Sequence, residues 1–296
     1  MSLKTDKKPI LIVGLPRSGT TWLASVMNTA KGVKYFYEPF NKDHVAAAKD
    51  HWLKYLRDDD EDPEFSGLWQ CIFSGRLNDD WVKRKMAWPY NRLDGNLSFL
   101  PGRVLVKDVY STMSLSWISK RFSPRVVIIT RHPCALAYSW ANTFEKTRQS
   151  GRIEALERLI NQQKLMDDFL SPFADCLRGQ DDFFHNLGLF YGANHFVLEK
   201  QRVANPDWIF IRHEDLCKNP LRAYQNLFEN LSLKWTSATD SLISRSTSIN
   251  SGKAYSPFRE SAKEPEKWKN QLHKADAEKV LKATQLFDVP CDFIEA

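Results

Sequence analysis

The apolar run Ile10-Leu11-Ile12-Val13 breaks directly into Gly14-Leu15-Pro16-Arg17-Ser18-Gly19-Thr20-Thr21-Trp22. A glycine-bearing turn between a buried strand and a helix points successive backbone N–H groups at one spot. The positive end of the helix dipole lies behind them, and together they form an anion site. The segment therefore commits the chain to a strand–loop–helix start.

The rest of the chain repeats that unit. Short β-branched runs at Ile10–Val13, Val33–Tyr37, Val104–Val106, Val126–Thr130 and Trp208–Ile211 read as strands covered on both faces. Helical patterns lie between them, at Thr21–Asn28, Ala135–Thr147, Ile153–Phe169, Asp182–Ala204 and Leu221–Glu229. Alternation of this kind predicts βαβ crossovers and an α/β three-layer sandwich with a central parallel sheet. No composition break divides the chain, so residues 1–296 are expected to form one domain. The stretch from about 44 to 100 fits the rhythm poorly and carries Trp52, Trp69, Trp81 and Trp88. It reads as a helical, aromatic-rich insertion, with two readings open: a lid over an acceptor, or aromatics packed into the core. The acidic run Asp58-Asp59-Asp60-Glu61-Asp62 reads as a solvated turn before Pro63.

Composition narrows the function classes. Of 296 residues, 43% are hydrophobic and 26% charged, with a formal net charge of +6. That balance is globular, and its mild basicity suits an anionic small ligand as well as RNA. An RNA binder should show a dense Lys/Arg stripe with stacking aromatics. Lys83-Arg84-Lys85 beside Trp81 and Trp88 is a thin version of one, and no nucleic-acid partner is expected. Five cysteines lie far apart with no CxxC pair, which suits reduced thiols and no metal site. No stretch reaches the roughly 18 apolar residues that span a bilayer, and the first apolar run is too short for a signal sequence. A cytoplasmic protein without a transmembrane segment is expected, in which the Asn96 and Asn230 sequons are coincidental.

The Walker pattern G-x-x-x-x-G-K-[ST] accommodates Gly14, Gly19 and Thr21, but Thr20 stands where it requires Lys. The cation comes earlier, at Arg17. A hydroxyl cannot neutralise β- and γ-phosphates as the Walker lysine does. The best Walker B candidate, Asp108, follows Lys107, which would compete with a metal. A P-loop kinase or nucleotide hydrolase is thereby disfavoured. A second element supports a different ligand. The strand Val126–Thr130 ends in Arg131-His132-Pro133, and Ser139 follows eight residues after Arg131. Pro133 suits the first turn of a helix. That helix would carry Ser139 roughly onto the face of Arg131, where the two can clamp one phosphate. His132 reads as structural.

Pro16-Arg17-Ser18-Gly19-Thr20-Thr21-Trp22 resembles the 5′-phosphosulfate loop of sulfotransferases dependent on 3′-phosphoadenosine-5′-phosphosulfate (PAPS). Arg131 with Ser139 resembles that family's 3′-phosphate motif. Cytosolic members usually carry Lys where Arg17 stands; carbohydrate-type and many bacterial members carry Arg. The resemblance implies a P-loop nucleoside-triphosphate-hydrolase-like fold, PAPS as donor, adenosine 3′,5′-bisphosphate as product, and no metal. It also implies that Arg17, Ser18, Gly19, Thr20 and Thr21 hold the 5′-phosphate, that Trp22 packs near the adenine, and that Arg131 and Ser139 hold the 3′-phosphate. Two looser matches follow. Arg212-His213-Glu214-Asp215-Leu216 resembles the family's R-Y-E-D-L segment, with His213 in the place of the tyrosine near the adenine. Ser256-Pro257-Phe258-Arg259, followed by Trp268-Lys269, resembles the loop closing over the 3′-phosphate, without its glycines. Golgi carbohydrate-type members carry a membrane anchor that is not seen here.

Sulfuryl transfer needs a base for the acceptor, in-line approach and charge relief on the departing phosphate. The histidine base of cytosolic members would fall at Val109, which takes no proton. Glu38, after Tyr35-Phe36-Tyr37 and before Pro39-Phe40, resembles the glutamate of carbohydrate-type and bacterial members and lies at a strand's C-terminal end. It reads as the base, with an apolar setting to strengthen it, or else as a surface carboxylate or a salt-bridge partner of Arg17. Asp108 is the second candidate. Lys107 reads either as stabilising the reacting oxygens or as structural. Arg17, Glu38 and Lys107 form the expected catalytic set. The acceptor is expected to be a small molecule, carbohydrate or lipid bearing a hydroxyl or amine, and oligomeric state is not specified by the sequence.

Overall fold

The structure is a computed structural model that describes residues 8–79, 81–82, 102–178, 181–248 and 264–289. Five strands, β1 (Ile10–Val13), β2 (Val33–Tyr37), β3 (Arg103–Asp108), β4 (Arg125–Thr130) and β5 (Ile209–Arg212), form one sheet. Their order is β2-β3-β1-β4-β5, and every pairing is parallel. The expected parallel α/β sandwich is thus the observed fold. The register sets Val13 opposite Asp108, Tyr37 opposite Lys107 and Thr130 opposite Arg212. All five C-terminal strand ends therefore open onto one rim.

The four residues of β1 are completely buried, and their side chains alternate between the two layers of helices. Ile10 and Ile12 pack toward α1 (Thr20–Met27), α8 (His213–Lys218), α9 (Pro220–Asn230) and α10 (Ser237–Ser248). Leu11 and Val13 pack toward α2 (Pro63–Phe73) and α3 (Leu115–Phe122). Each such side chain contributes about 1.5–3 kcal/mol by leaving water. A third cluster joins α4 (Pro133–Ala141), α6 (Glu154–Ile160), the long α7 (Phe183–Ala204) and α11 (Lys274–Gln285).

The structure differs from the sequence reading in several places. The helix expected over Ala135–Thr147 breaks after Ala141 and resumes as α5 (Glu145–Ser150). Asn142 Nδ2 donates to the Tyr138 carbonyl and Thr143 Oγ1 to the Ser139 carbonyl. Such side-chain bonds offer the backbone an alternative to the helix ladder. The helix expected over Ile153–Phe169 breaks at Asn161, because Gln162 is drawn into bonds with the Tyr55 N–H and Leu53 carbonyl. The acidic run is the expected turn with Asp59 and Glu61 exposed, but Asp60 and Asp62 within it are tied down. Asp60 accepts from Lys164 Nζ at 2.5 Å, and its carbonyl accepts from Trp117 Nε1 at 2.9 Å. Asp62 caps α2 through the Phe65 N–H, with Pro63 at the first helical position.

In the segment from 44, Trp52 and Trp69 are core residues, Trp69 tilted against Phe40 at 4.7 Å. Trp88 and the Lys83-Arg84-Lys85 run lie outside the described residues. Cys71, Cys134, Cys176 and Cys217 are free thiols; burial pushes those of Cys134 and Cys217 up to about 12. Among the described residues no helix is long and apolar enough to cross a membrane.

Candidate active site

The phosphate loop fills the rim at the end of β1. Three successive carbonyls of the loop are engaged as hydrogen-bond acceptors. The Leu15 carbonyl accepts from Ser18 N at 3.1 Å and Ser18 Oγ at 2.7 Å. The Pro16 carbonyl accepts from Trp140 Nε1 at 2.8 Å, and the Arg17 carbonyl from an Arg131 guanidinium N–H at 3.0 Å. A loop whose carbonyls are already engaged can turn its N–H groups toward a bound anion. Arg17 (φ 76°) and Gly19 (φ 98°) both adopt the left-handed conformation that winds such a nest. The loop also has no room to spare. A Cβ on Gly14 would lie 2.4 Å from the Ile129 carbonyl, and one on Gly19 would lie 2.4 Å from His213 Cδ2.

Gly19 is the N-cap of α1 and brings no side chain to it, and the first turn holds no acidic residue. The orphan N–H groups of this helix end are therefore available to an external anion. Thr20 and Thr21 start the helix. Ser18 spends both its N–H and its hydroxyl on the loop itself, so its hydroxyl braces the turn.

The two sequence motifs meet. Arg17 Nε donates to Ser139 Oγ at 3.0 Å, while Arg131 holds the Arg17 carbonyl. Guanidinium, hydroxyl and N–H donors thus converge from β1–α1 and β4–α4. Such a set of donors suits a ligand that carries more than one anionic group. One carboxylate shares the locus: Glu264 lies 3.8 Å from Arg131 and 3.6 Å from Lys267. Arg259 lies outside the described residues. Trp268 stacks on His132 at 4.6 Å, and His132 Nδ1 accepts from the Cys134 N–H as the cap of α4.

Trp22 is mostly withdrawn into the core. It is 8% exposed, bonds through Nε1 to Ser246 Oγ at 2.8 Å and meets Tyr224 edge-on at 5.5 Å. His213 is buried behind the phosphate loop against Gly19 and faces the Trp22 edge at 6.2 Å.

Glu38 and Lys107 face each other across neighbouring strand ends. The Lys107 ammonium donates to Glu38 Oε1, and Asn41 Nδ2 donates to Oε2 at 3.0 Å. The carboxylate therefore pairs with Lys107, not with Arg17, and is 8% exposed rather than a surface group. Glu38 has φ 44°, an uncommon conformation for a non-glycine residue. Burial opposes the Lys107 charge, yet Glu38, Tyr37 and Asp108 outweigh it and raise the ammonium's pKa. Asp108 is fully buried with its oxygens engaged: Oδ2 accepts from Phe40 N, and Oδ1 from Tyr110 N and Ser111 Oγ. Burial pushes its carboxyl up to about 6. Among the described residues no group of three or more His, Cys, Asp or Glu is arranged to hold a metal ion.

Asn41, Tyr191 and Glu214 touch this site and were not singled out by the sequence reading. Glu214 stood inside a matched motif, and a tyrosine within the apolar run of α7 was the one available signal for Tyr191.

A profile described as "Sulfotransferase family" matches residues 9–237, and the chain belongs to that family. Similar solved structures include the mouse sulfotransferase SULT7A1 complexed with PAP. It is 14% identical, with 95% of this chain and 85% of that chain covered and a TM-score of 0.48. The sulfotransferase domain from the curacin biosynthetic pathway is also 14% identical, with 97% and 100% covered and a TM-score of 0.49. STF9 from Mycobacterium avium is 12% identical, with 96% and 78% covered and a TM-score of 0.42. No curated protein sequence matches the chain.

Proposed function

We propose that the chain transfers a sulfuryl group from PAPS to a hydroxyl or amine of a small-molecule, carbohydrate or lipid acceptor, in one in-line displacement. The observation that carries this reading is the junction of the two phosphate motifs, Arg17 Nε to Ser139 Oγ at 3.0 Å with Arg131 on the Arg17 carbonyl. A site for one phosphate chain needs only the loop. A second cationic clamp beside it suits a nucleotide phosphorylated at both ends of its ribose.

The donor supplies an activated sulfuryl group whose leaving group is adenosine 3′,5′-bisphosphate. The loop N–H groups and Arg17 offset charge developing on the departing 5′-phosphate. Arg131 and Ser139 hold the 3′-phosphate. Glu38 takes the proton of the acceptor. Its ion pair with Lys107 offsets its charge, so an anionic donor can approach. Once Glu38 is protonated, the Lys107 ammonium is free to face negative charge on the reacting oxygens. Asp108 is unsuited as the base, since three donors already occupy its oxygens. The same engagement leaves it a poor magnesium ligand, which argues against a kinase.

Calorimetric titration with adenosine 3′,5′-bisphosphate, beside magnesium-ATP, tests the reading. Tight binding of the bisphosphate that is lost in Arg131→Ala is expected. Binding of magnesium-ATP without binding of the bisphosphate would overturn it.

A further inference from the structure

The peptide unit joining Arg131 to His132 is held at both of its polar atoms by buried side chains from other elements. Its carbonyl, on Arg131, accepts from the Tyr191 hydroxyl at 2.8 Å. Its N–H, on His132, donates to Glu214 Oε1 at 2.9 Å. Tyr191 comes from α7 and is 1% exposed; Glu214 comes from the first turn of α8 and is 4% exposed. The sheet dictates the second contact. Thr130 of β4 lies opposite Arg212 of β5. Two residues further along each chain, His132 meets Glu214. One residue along, His213 closes behind Gly19 of the phosphate loop. The start of α8 therefore supports both phosphate subsites at once.

An arginine at the end of a strand has four side-chain torsions with which to miss its target. Here the backbone from which it departs is fixed on two sides, and one of its N–H groups is fixed on the Arg17 carbonyl. Buried hydrogen bonds to a single peptide plane leave it little freedom to rotate. We propose that Glu214 and Tyr191 are positioning residues that aim Arg131 at the 3′-phosphate. Neither touches the ligand, and each acts through the Arg131–His132 peptide. Both have this role only if the donor site is as proposed above.

Binding of adenosine 3′,5′-bisphosphate and of adenosine 5′-monophosphate, measured by calorimetry on the full chain, separates the two ideas. The ratio of the two affinities reads the 3′-phosphate contact alone. Wild type is expected to prefer the bisphosphate strongly. Glu214→Ala and Tyr191→Phe should each lower that preference by roughly five- to fiftyfold, leaving the monophosphate affinity unchanged. Glu214→Gln keeps an oxygen acceptor for the His132 N–H and should restore most of the preference. A merely structural role would weaken both nucleotides together or only lower the melting temperature, and either result overturns the inference. So does an unchanged ratio in both variants. A wild type without preference overturns the donor reading and this inference with it. If Glu214→Ala does not fold, Tyr191→Phe, which removes a single oxygen, decides the matter.

Discussion

Glu38 donates its backbone N–H to the Lys107 carbonyl at 2.7 Å and receives the Lys107 ammonium on its carboxylate, so backbone and side chain tie the two residues together. The lysine side chain is 2% exposed. A buried pair of this kind is costly to break from one side, because the remaining charge is left without compensation.

Glu38→Gln should therefore fail in two separable ways. Turnover should fall by roughly 10²–10⁴, the usual contribution of a positioned base, while bisphosphate affinity is retained. Stability should fall by about 3 kcal/mol, because the Lys107 ammonium loses its partner. Adding Lys107→Met should recover most of the stability and none of the turnover. Urea unfolding and a sulfuryl-transfer assay on the single and double variants check both halves. Near-normal turnover in Glu38→Gln would remove Glu38 as the base.

Gly19→Ala places a side chain at φ 98° and 2.4 Å from His213 Cδ2. The backbone penalty alone is about 1–2 kcal/mol. Bisphosphate affinity should fall with stability, because the nest and the His213 contact share this residue. Adding His213→Ala should relieve the clash but not the backbone strain, giving partial recovery in melting temperature and calorimetry.

Glu264 stands against Arg131 where an incoming 3′-phosphate would compete for it. Glu264→Gln should tighten bisphosphate binding about fivefold, the effect of removing one negative charge that stands 3.8 Å from the Arg131 guanidinium. Affinity for adenosine 5′-monophosphate, which has no 3′-phosphate, should not change. Weaker bisphosphate binding in the variant would show that the carboxylate helps to set the arginine rather than occupying its place.

Asp108 gives a pH signature. Burial raises its carboxyl from 3.8 to about 6 in the folded chain. A group that holds its proton more tightly when folded stabilises the fold most below its unfolded pKa. That contribution is lost as the pH rises to the folded value. The stability due to this carboxyl is thus full below about pH 4, falls by about 3 kcal/mol toward pH 6.5, and is level above. Urea unfolding at about pH 4, 5 and 6.5 should show the wild type's advantage over Asp108→Asn shrinking as pH rises. A gap independent of pH would mean that the carboxyl does not titrate in this window.

The phosphate loop and the strands were legible because each is encoded locally: a glycine in a left-handed turn, or a run of β-branched residues. The β1 and β2 limits coincide with the apolar runs that mark them. The partner of Glu38 was not legible. It depends on β2 lying beside β3 with Tyr37 opposite Lys107, a register set by packing between segments far apart in the chain. The same holds for Glu214, which reads as an ordinary first-turn acid until β5 is placed beside β4. The breaks at Asn142 and Asn161 are invisible to hydrophobic spacing, which does not register side chains that bond to backbone, whether one turn back as in Asn142 or on a distant segment as in Gln162. The acidic run looked solvated because its partners, Lys164 and Arg121, lie far along the sequence.

The strand order has a further consequence, for the chain while it is being made. β1 is the first of the five strands to emerge from the ribosome, yet it occupies the centre of the sheet. Its neighbours, β3 and β4, begin at Arg103 and Arg125. One edge of this strand must wait for β3 and the other for β4, and parallel crossovers offer no hairpin as an interim shelter. Until then Ile10–Val13 is a sticky segment that has to be kept from its own kind. A nascent chain stopped short of β4 would carry the phosphate loop's sequence with no frame to wind it.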